Sequence, residues 1–145
     1  MNKHTYPVEI EDDNIFSFLS IGKNGIILKM VEIAEIQEGV YSLGFGDYNF
    51  TTESVDDKAN SNNGDIEKVL ATIFGIMIDF LNKNPSKTIF FAGSTPFRTQ
   101  LYQRIVNTYF DEFSSILEIQ GNRNGKYEPF QKNREYESFL VKKLF

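Results

Sequence analysis

The stretch FFAGSTPFRTQLYQR, residues 90–104, carries residue types suited to holding an anion. Small residues come directly before a helical pattern, and Arg98 and Tyr102 lie four positions apart, on one face of that helix. The N–H groups of a helix N-terminus attract phosphate or carboxylate, and a nearby guanidinium strengthens such a site. A second segment of this kind, SNNGD, precedes an earlier helix. From these two segments we predict a ligand-binding set made of Asn63, Gly64, Asp65, Ser94, Thr95 and Arg98.

The catalytic chemistry open to this chain is narrow. His4 is the only histidine and lies near a terminus that is expected to fray, which argues against a Ser-His-Asp triad and a histidine metal cluster. The chain has no cysteine, which excludes a cysteine nucleophile. The polar run DDKANSNNGDIE does not fit a calcium-binding EF-hand loop, because Leu70 stands where that loop needs a glutamate when Gly64 takes the glycine position. We therefore predict no metal site. Any acid–base catalysis would have to use carboxylates, lysines or tyrosines. Tyr102 is the candidate catalytic residue.

A purely structural explanation of the same residues stays open. Thr95 can cap the helix through its hydroxyl, and Pro96 is well suited to the first helical position. Arg98 would then contribute surface charge. Tyr102, next to the apolar Leu101, would pack at the edge of the helix.

Composition places the chain among globular proteins. Its 145 residues, 41% of them hydrophobic, suffice for one core, and we predict a single domain over residues 1–145. A net charge of −5 argues against extended nucleic-acid binding. The apolar stretches are too short to span a membrane and no signal peptide is recognisable at the start, so we expect no membrane association. A chain without cysteine is compatible with the reducing cytoplasm, where we expect the protein.

Hydrophobic periodicity predicts the elements that position these residues. Apolar residues alternate in the first part of the chain and recur at helical spacing in two later segments. The expected elements are strands at 6–10, 15–21, 26–36 and 40–47, a helix at 65–83, a strand at 87–92, a helix that begins at Pro96, and strands near SILEIQ, KYEPF and YESFLVKK. Residues 135–143 fit a helical period as well as a strand, so both stay open. The polar residues 47–64 are expected to form a long loop.

The order β-β-β-β-α-β-α-β-β-β predicts an α+β fold with a mixed, mostly antiparallel sheet and two main helices. A helix separates the strands at 40–47 and 87–92, so we expect these two strands to lie side by side and parallel. The strand at 26–36 is apolar on both faces, with Ile27, Val31 and Ile33 on one and Ile26, Leu28, Met30 and Ala34 on the other.

The aromatic residues are expected mainly in the core. The phenylalanines assigned there are Phe16, Phe45, Phe74, Phe80, Phe90 and Phe97. From its apolar spacing, the second helix is expected to bury Phe97, Leu101 and Ile105.

The order of elements from residue 26 onward resembles the second half of the GNAT acyl-CoA N-acyltransferases. SNNGDIEKVL stands where that superfamily holds the CoA pyrophosphate at a helix N-terminus, although Ser61 and Ile66 depart from its motif. Leu101 and Tyr102 stand where the superfamily often carries Leu-Tyr, whose tyrosine is proposed to protonate the departing thiolate. The resemblance implies an acyl-CoA ligand, with Tyr102 as general acid.

The blocks LGFGD, SNNGD..KVLATI and GSTPFRTQLY are similar to those of a family of short, mainly Bacteroidetes proteins of unknown function. This resemblance covers nearly the whole chain. It implies a bacterial, cytoplasmic protein and no particular activity.

Two functional hypotheses follow, and the sequence does not decide whether the protein is an enzyme. In the first, a phosphate-bearing ligand, acyl-CoA or nucleotide, binds at the N-terminus of the helix at 65–83 in a reduced GNAT-like fold. In the second, the protein is a non-catalytic interaction or regulatory module, such as one half of a toxin–antitoxin-like pair. Its partner would be another protein or a second copy of the chain, bound through a sheet edge and aromatic surface.

Overall fold

The structure is a computed structural model that describes residues 4–56, 63–93 and 95–144. These residues form one nine-stranded sheet and two helices. The strands are β1 (Glu9–Asp12), β2 (Ile15–Gly22), β3 (Gly25–Gln37), β4 (Val40–Asn49), β5 (Ser54–Asp56), β6 (Thr88–Phe91), β7 (Leu117–Arg123), β8 (Lys126–Pro129) and β9 (Ser138–Lys143), and the helices are α1 (Ile66–Lys83) and α2 (Pro96–Phe113). The predicted fold class and order of elements are confirmed. The last segment forms a strand rather than a helix.

One short strand lies where the sequence predicted only a loop. β5 pairs antiparallel with the end of β4, and Tyr48 lies opposite Val55. Three residues are too few to show an alternating pattern, so the sequence carries no signal for this strand. Backbone pairing with β4 defines it instead.

The strands follow the order β1-β2-β3-β4-β6-β9-β7-β8 across the sheet, and β5 lies beside β4. The described pairs are antiparallel except β4 and β6. In that parallel pair, Val40 lies opposite Thr88 and Ser42 lies opposite Phe90. The predicted parallel neighbours are therefore confirmed, with α1 in the connection between them.

Both helices cover the same face of the sheet, called the inner face below. The rings of Phe80 in α1 and Tyr41 in β4 lie 5.1 Å apart, and Tyr102 in α2 lies 5.8 Å from Phe45. Intervening residues of each strand point to the opposite side, called the outer face. The core between the inner face and the helices includes Phe18, Val31, Ile33, Leu43, Phe74, Leu81, Ile89, Phe139 and Val141. Neither described helix is long and apolar enough to cross a membrane.

The predicted core position of Phe97 is wrong. Its side chain is 49% exposed, and α2 instead turns Arg98 and Tyr102 toward the sheet, while Ile105 is buried as predicted. The inference failed because it assigned a charged residue to the solvent side of the helix. Arg98 tolerates burial since its guanidinium lies over the ring of Phe45 and donates a hydrogen bond to the carbonyl oxygen of that residue.

The predicted core position of Phe90 is also wrong. Phe90 is half-buried on the outer face, because its neighbours Ile89 and Phe91 take the inner face. The other phenylalanines assigned to the core are buried or packed against it, namely Phe16, Phe45, Phe74 and Phe80.

Candidate functional site

The start of α2 has the local structure that its sequence predicts. Thr95 precedes the helix in an extended conformation, and its Oγ1 accepts a hydrogen bond from Arg98 N at 3.2 Å. Pro96 occupies the first turn. A β-carbon on Gly93 would lie 2.1 Å from Thr99 N, so glycine is required where the chain leaves β6 so close to the helix. The predicted cap is confirmed, and it satisfies one amide of the first turn.

Arg98 and Tyr102 share one side of α2, and that side faces the sheet. The Arg98 guanidinium carbon lies 4.2 Å from the centroid of the Phe45 ring, and Nη1 donates to the Phe45 carbonyl oxygen at 3.2 Å. The Tyr102 ring meets Phe45 edge-on and lies 5.1 Å from Phe91. Both side chains are buried. Ser94, the remaining predicted residue of this segment, lies outside the described residues.

Asn63 fastens the β2–β3 turn to the start of α1. Its Nδ2 donates to Ser20 Oγ at 3.0 Å and to the Gly25 carbonyl oxygen at 3.1 Å. Its Oδ1 accepts from Asn24 N at 2.7 Å. The next residue, Gly64, has φ of +80°, a left-handed conformation that favours glycine. These contacts hold Asn63, within the predicted SNNGD segment, against the sheet.

Asp65 directs its carboxylate away from its own helix. Oδ2 accepts hydrogen bonds from Tyr6 OH at 2.6 Å and Ser20 Oγ at 2.5 Å, and the side chain makes no capping bond. Burial and the hydrogen bond to Asp65 raise the pKa of Tyr6 above its usual value. The carboxylate lies beside the positive end of the α1 dipole, which stabilises it. The first turn of α1 thus has an anionic group of the protein itself next to it.

Lys29 is a charged residue of this region that the sequence reasoning missed. It lies on the inner face opposite Phe18 and Asp47, is buried, and forms an ion pair with Asp47. The alternation of the segment IILKM was the available signal, since it assigns this lysine to the same face as Val31. Its partner depends on the register of β3 and β4, which the sequence does not reveal.

The outer face has two parts of opposite character. The first, called the apolar half, is formed mainly by Ile15, Leu19, Ile21, Ile26, Leu28, Met30, Tyr48 and Val55 from β2 to β5, with the buried Ser17 between Ile15 and Leu19. Ile21 lies opposite Ile26, and Leu19 lies opposite Leu28, so these side chains form one continuous surface. The exposed fraction is 68% for Ile26, 59% for Ile21 and 48% for Leu19.

A trough opens at the end of the apolar half that lies far from the β2–β3 turn. Its volume is about 390 Å³, and it is lined by Ile15, Met30, Val31, Glu32, Gly44, Phe45 and Val55. Two outward-facing glycines of β4 shape it. A β-carbon on Gly44 would meet nothing within 4 Å, whereas one on Gly46 would lie 2.4 Å from the Asp56 carbonyl oxygen. Gly46 therefore permits the approach of β5, and Gly44 leaves the trough open.

The second part, called the polar half, has mainly polar side chains from β7, β8 and β9, namely Glu118, Gln120, Asn122, Tyr127, Ser138 and Lys142. One apolar residue, Leu140 of β9, lies among them opposite Gln120. Lys142 Nζ lies 3.7 Å from Glu118 Oε2, and Gln120 Nε2 donates to the same carboxylate at 3.3 Å. Tyr127 OH and Ser138 Oγ are 3.2 Å apart. This half is typical of a sheet surface in contact with water.

A separate groove of about 630 Å³ runs along α1 between β1 and the end of α2. Its walls combine apolar residues such as Val8, Ile76 and Phe113 with the charged Asp79 and Glu112. Of the predicted ligand-binding and catalytic residues that the structure describes, none lines this groove. The groove is therefore not the site that the sequence predicted.

Comparison with known proteins identifies the family. A family model described as "Family of unknown function (DUF6934)" matches residues 2–144, and the chain belongs to that family. Neither a curated protein nor a solved structure matches the chain. The predicted resemblance to a family of unknown function is confirmed, whereas no match supports the resemblance to the GNAT superfamily.

Proposed function

We propose that this member of the DUF6934 family is a non-catalytic protein-interaction module whose binding surface is the apolar half of the outer face. The observation that carries the proposal is the continuous exposure of Leu19, Ile21 and Ile26 on a sheet face whose other half is mainly polar. Contiguous apolar patches larger than a few hundred Å² are rare on monomeric proteins and commonly mark interaction sites. The apolar half has the composition of such a site.

The energetic gain from covering this surface is substantial. Fully burying one isoleucine or leucine side chain is worth about 1.5–3 kcal/mol relative to leaving it in water. Ile26 and Ile21 are more than half exposed, so a partner that covers them recovers a large part of that amount for each. The free energy of covering the apolar half with a protein surface is therefore favourable. Without such a partner, the apolar half stays in contact with water.

The position of the predicted catalytic residue supports the non-catalytic part of the proposal. Tyr102 is buried and packs against Phe45 and Phe91, away from open solvent. A general acid has to come within hydrogen-bond reach of a substrate. We further propose a cytoplasmic location, with which a chain lacking cysteine is compatible.

Site-directed photo-crosslinking tests the interaction surface. A photoreactive phenylalanine analogue is placed at Leu19 in the apolar half and, as matched control, at Gln120 in the polar half, because both are strand positions on the outer face. In cells that produce the protein, we expect a polypeptide adduct from position 19 and little from position 120. Equal adducts from both positions, or none from position 19, would contradict the proposal.

A second candidate function is binding of a phosphate-bearing ligand, acyl-CoA or nucleotide, near the start of α1. The observation that favours it is the burial of two cations on the inner face. On the inner face, Ser20, which contacts Asp65, lies in the row of side chains next to that of Lys29. Phe45 lies in the row on the other side of Lys29, and the Arg98 guanidinium packs over its ring. Buried cations near a helix N-terminus are suited to an anionic group.

Thermal unfolding with CoA, acetyl-CoA, ATP and GTP tests this second candidate. A ligand present at 100 times its dissociation constant stabilises the folded protein by about 2.7 kcal/mol. We expect a raised melting temperature with one of these compounds and a smaller ligand-induced rise in the Arg98→Ala variant, which lacks one of the two buried cations. An unchanged melting temperature with all four would remove the candidate.

A further inference from the structure

We infer that the partner of the apolar half is a second copy of this chain, and that the two copies pack face to face around a two-fold axis. The inference rests on the proposed interaction function and names its partner. A two-fold interface brings one surface patch against itself, so the patch has to be self-complementary in charge and in shape.

The edges of the sheet are poorly suited to association. β1, at one edge, exposes Glu9, Glu11 and Asp12, and pairing two such strands would bring carboxylates together. β8, at the other edge, is four residues long and ends at Pro129, which has no N–H to donate. These features oppose extension of the sheet strand by strand. Association through a face remains open to the molecule.

Charge permits the apolar half to meet itself. From Leu19 to Ile21 on β2, and from Ile26 to Met30 on β3, the outward-facing side chains are uncharged. Like charges placed opposite each other are what commonly prevents a surface from pairing with its own copy. The charged Glu32 lies at the trough end of the apolar half, opposite Gly44. If the two-fold axis passes near Leu28, Glu32 faces the β2–β3 turn of the other copy and not the Glu32 of that copy.

Shape is complementary in the same arrangement. The most exposed side chains, Ile21 and Ile26, stand at the turn end of the apolar half, and the trough beside Gly44 lies at the opposite end. Residues 26 and 30 of one strand are about 13 Å apart at a rise of about 3.3 Å per residue. A two-fold axis between them therefore places the isoleucines of each copy over the trough of the other.

The available area predicts a reversible dimer. Seven residues along the strands and four strands across give a surface of about 20 Å by 20 Å, from the usual strand rise and spacing. Two such surfaces would bury on the order of 1,000 Å² in total, near the lower limit for a specific interface. We therefore expect a dissociation constant on the order of 1–100 µM.

Sedimentation of the full chain over about 1 to 200 µM tests the inference at the expected affinity. The wild type should pass from the mass of one chain, 16.7 kDa, to twice that mass. Gly44→Arg places a long side chain in the trough at a position where a β-carbon meets nothing within 4 Å, and Ile26→Lys charges the projecting end. Each should therefore weaken association about tenfold or more. Gln120→Lys, on the polar half, should associate like the wild type. Circular dichroism spectra that match the wild type would show that the variants are folded.

Three results would overturn the inference. They are a wild type that stays monomeric, a Gly44→Arg variant that dimerises like the wild type, and a Gln120→Lys variant that is weakened as much as Gly44→Arg. A monomeric wild type whose position 19 still crosslinks to a different polypeptide would overturn the dimer alone and leave the proposed function standing. A monomeric wild type without any adduct from position 19 would overturn both.

Because the chain has no cysteine, introduced cysteines give a second, independent measurement. Ile26→Cys and Gly44→Cys variants are treated with a short bismaleimide, separately and as a mixture. The two-fold arrangement predicts more covalent dimer from the mixture than from either variant alone. A yield from the mixture no higher than from the separate variants would contradict the arrangement.

Discussion

The apolar half and the polar half lie on the same face of one sheet, yet they present opposite surfaces. The polar half carries the Lys142–Glu118 pair and hydrogen-bonded side chains, as expected for an antiparallel sheet with one hydrated face. The apolar half exposes Ile21 and Ile26 instead. Strand formation does not require isoleucine at these positions, since threonine is also favoured in strands. This difference between the halves is the observation on which the proposed interaction surface rests.

The largest expected effect distinguishes the two glycines of the apolar half. Replacing Gly46 by alanine should lower the free energy of unfolding by about 1–3 kcal/mol, because the new β-carbon would lie 2.4 Å from the Asp56 carbonyl oxygen and 2.7 Å from Val55 Cγ1. Gly44→Ala is the matched control, since its β-carbon meets nothing within 4 Å. Denaturant unfolding of both variants measures the difference. Equal unfolding midpoints would show that β5 does not press on Gly46.

A smaller effect compares the two halves directly. Leu19→Lys should clearly reduce the fluorescence of a dye that binds exposed apolar surface, while Gln120→Lys should leave it near the wild-type level. Both positions are on the outer face and away from the core, so we expect unfolding free energies within about 0.5 kcal/mol of the wild type. Dye titration at a low protein concentration is the measurement. Similar fluorescence from both variants would remove the distinction between the halves.

The smallest expected effect concerns Glu128 in β8, beside the polar half. Hydrogen bonds from Tyr136 OH and from Arg134 lower the pKa of Glu128 below its usual value of 4.5. A carboxyl group whose folded pKa is lowered stabilises the protein above its unfolded pKa, and this contribution is lost as the pH falls through the folded value. Melting temperatures below about pH 4.5 should therefore fall less steeply for Glu128→Gln than for the wild type. Parallel curves would contradict the role assigned to this carboxylate.

Local sequence signals predicted the elements well. The spacing of apolar residues over 66–81 defines α1, and Thr95 and Pro96 define the start of α2, because a cap and a helical period involve only neighbouring residues. The order of elements followed from the same signals. The parallel pairing of β4 and β6 was predictable because a helix separates them in the chain.

The sequence identified which residues of the candidate ligand site carry suitable chemical groups, but it did not predict which residues they contact. Asn63 and Asp65 were singled out from the segment SNNGD, yet their hydrogen-bond partners Ser20 and Tyr6 come from distant parts of the chain. Arg98 was assigned to the surface in the structural explanation because its burial depends on Phe45, which lies more than fifty residues earlier. Contacts of this kind require the strand register and helix placement, which no local pattern contains. Binding of a phosphate-bearing ligand at these residues stays a prediction.

The sequence alone specifies that β3 is apolar on both faces, since its alternating residues, among them Val31 and Ile26, are apolar on either side. It did not determine which face would be covered. That was decided by α1 and α2, which both pack against the inner face. The physical reason is that alternation along a strand separates two faces equally, whereas burial depends on elements that follow tens of residues later in the chain. The tertiary structure therefore turned one of two apolar faces into the core and left the other exposed.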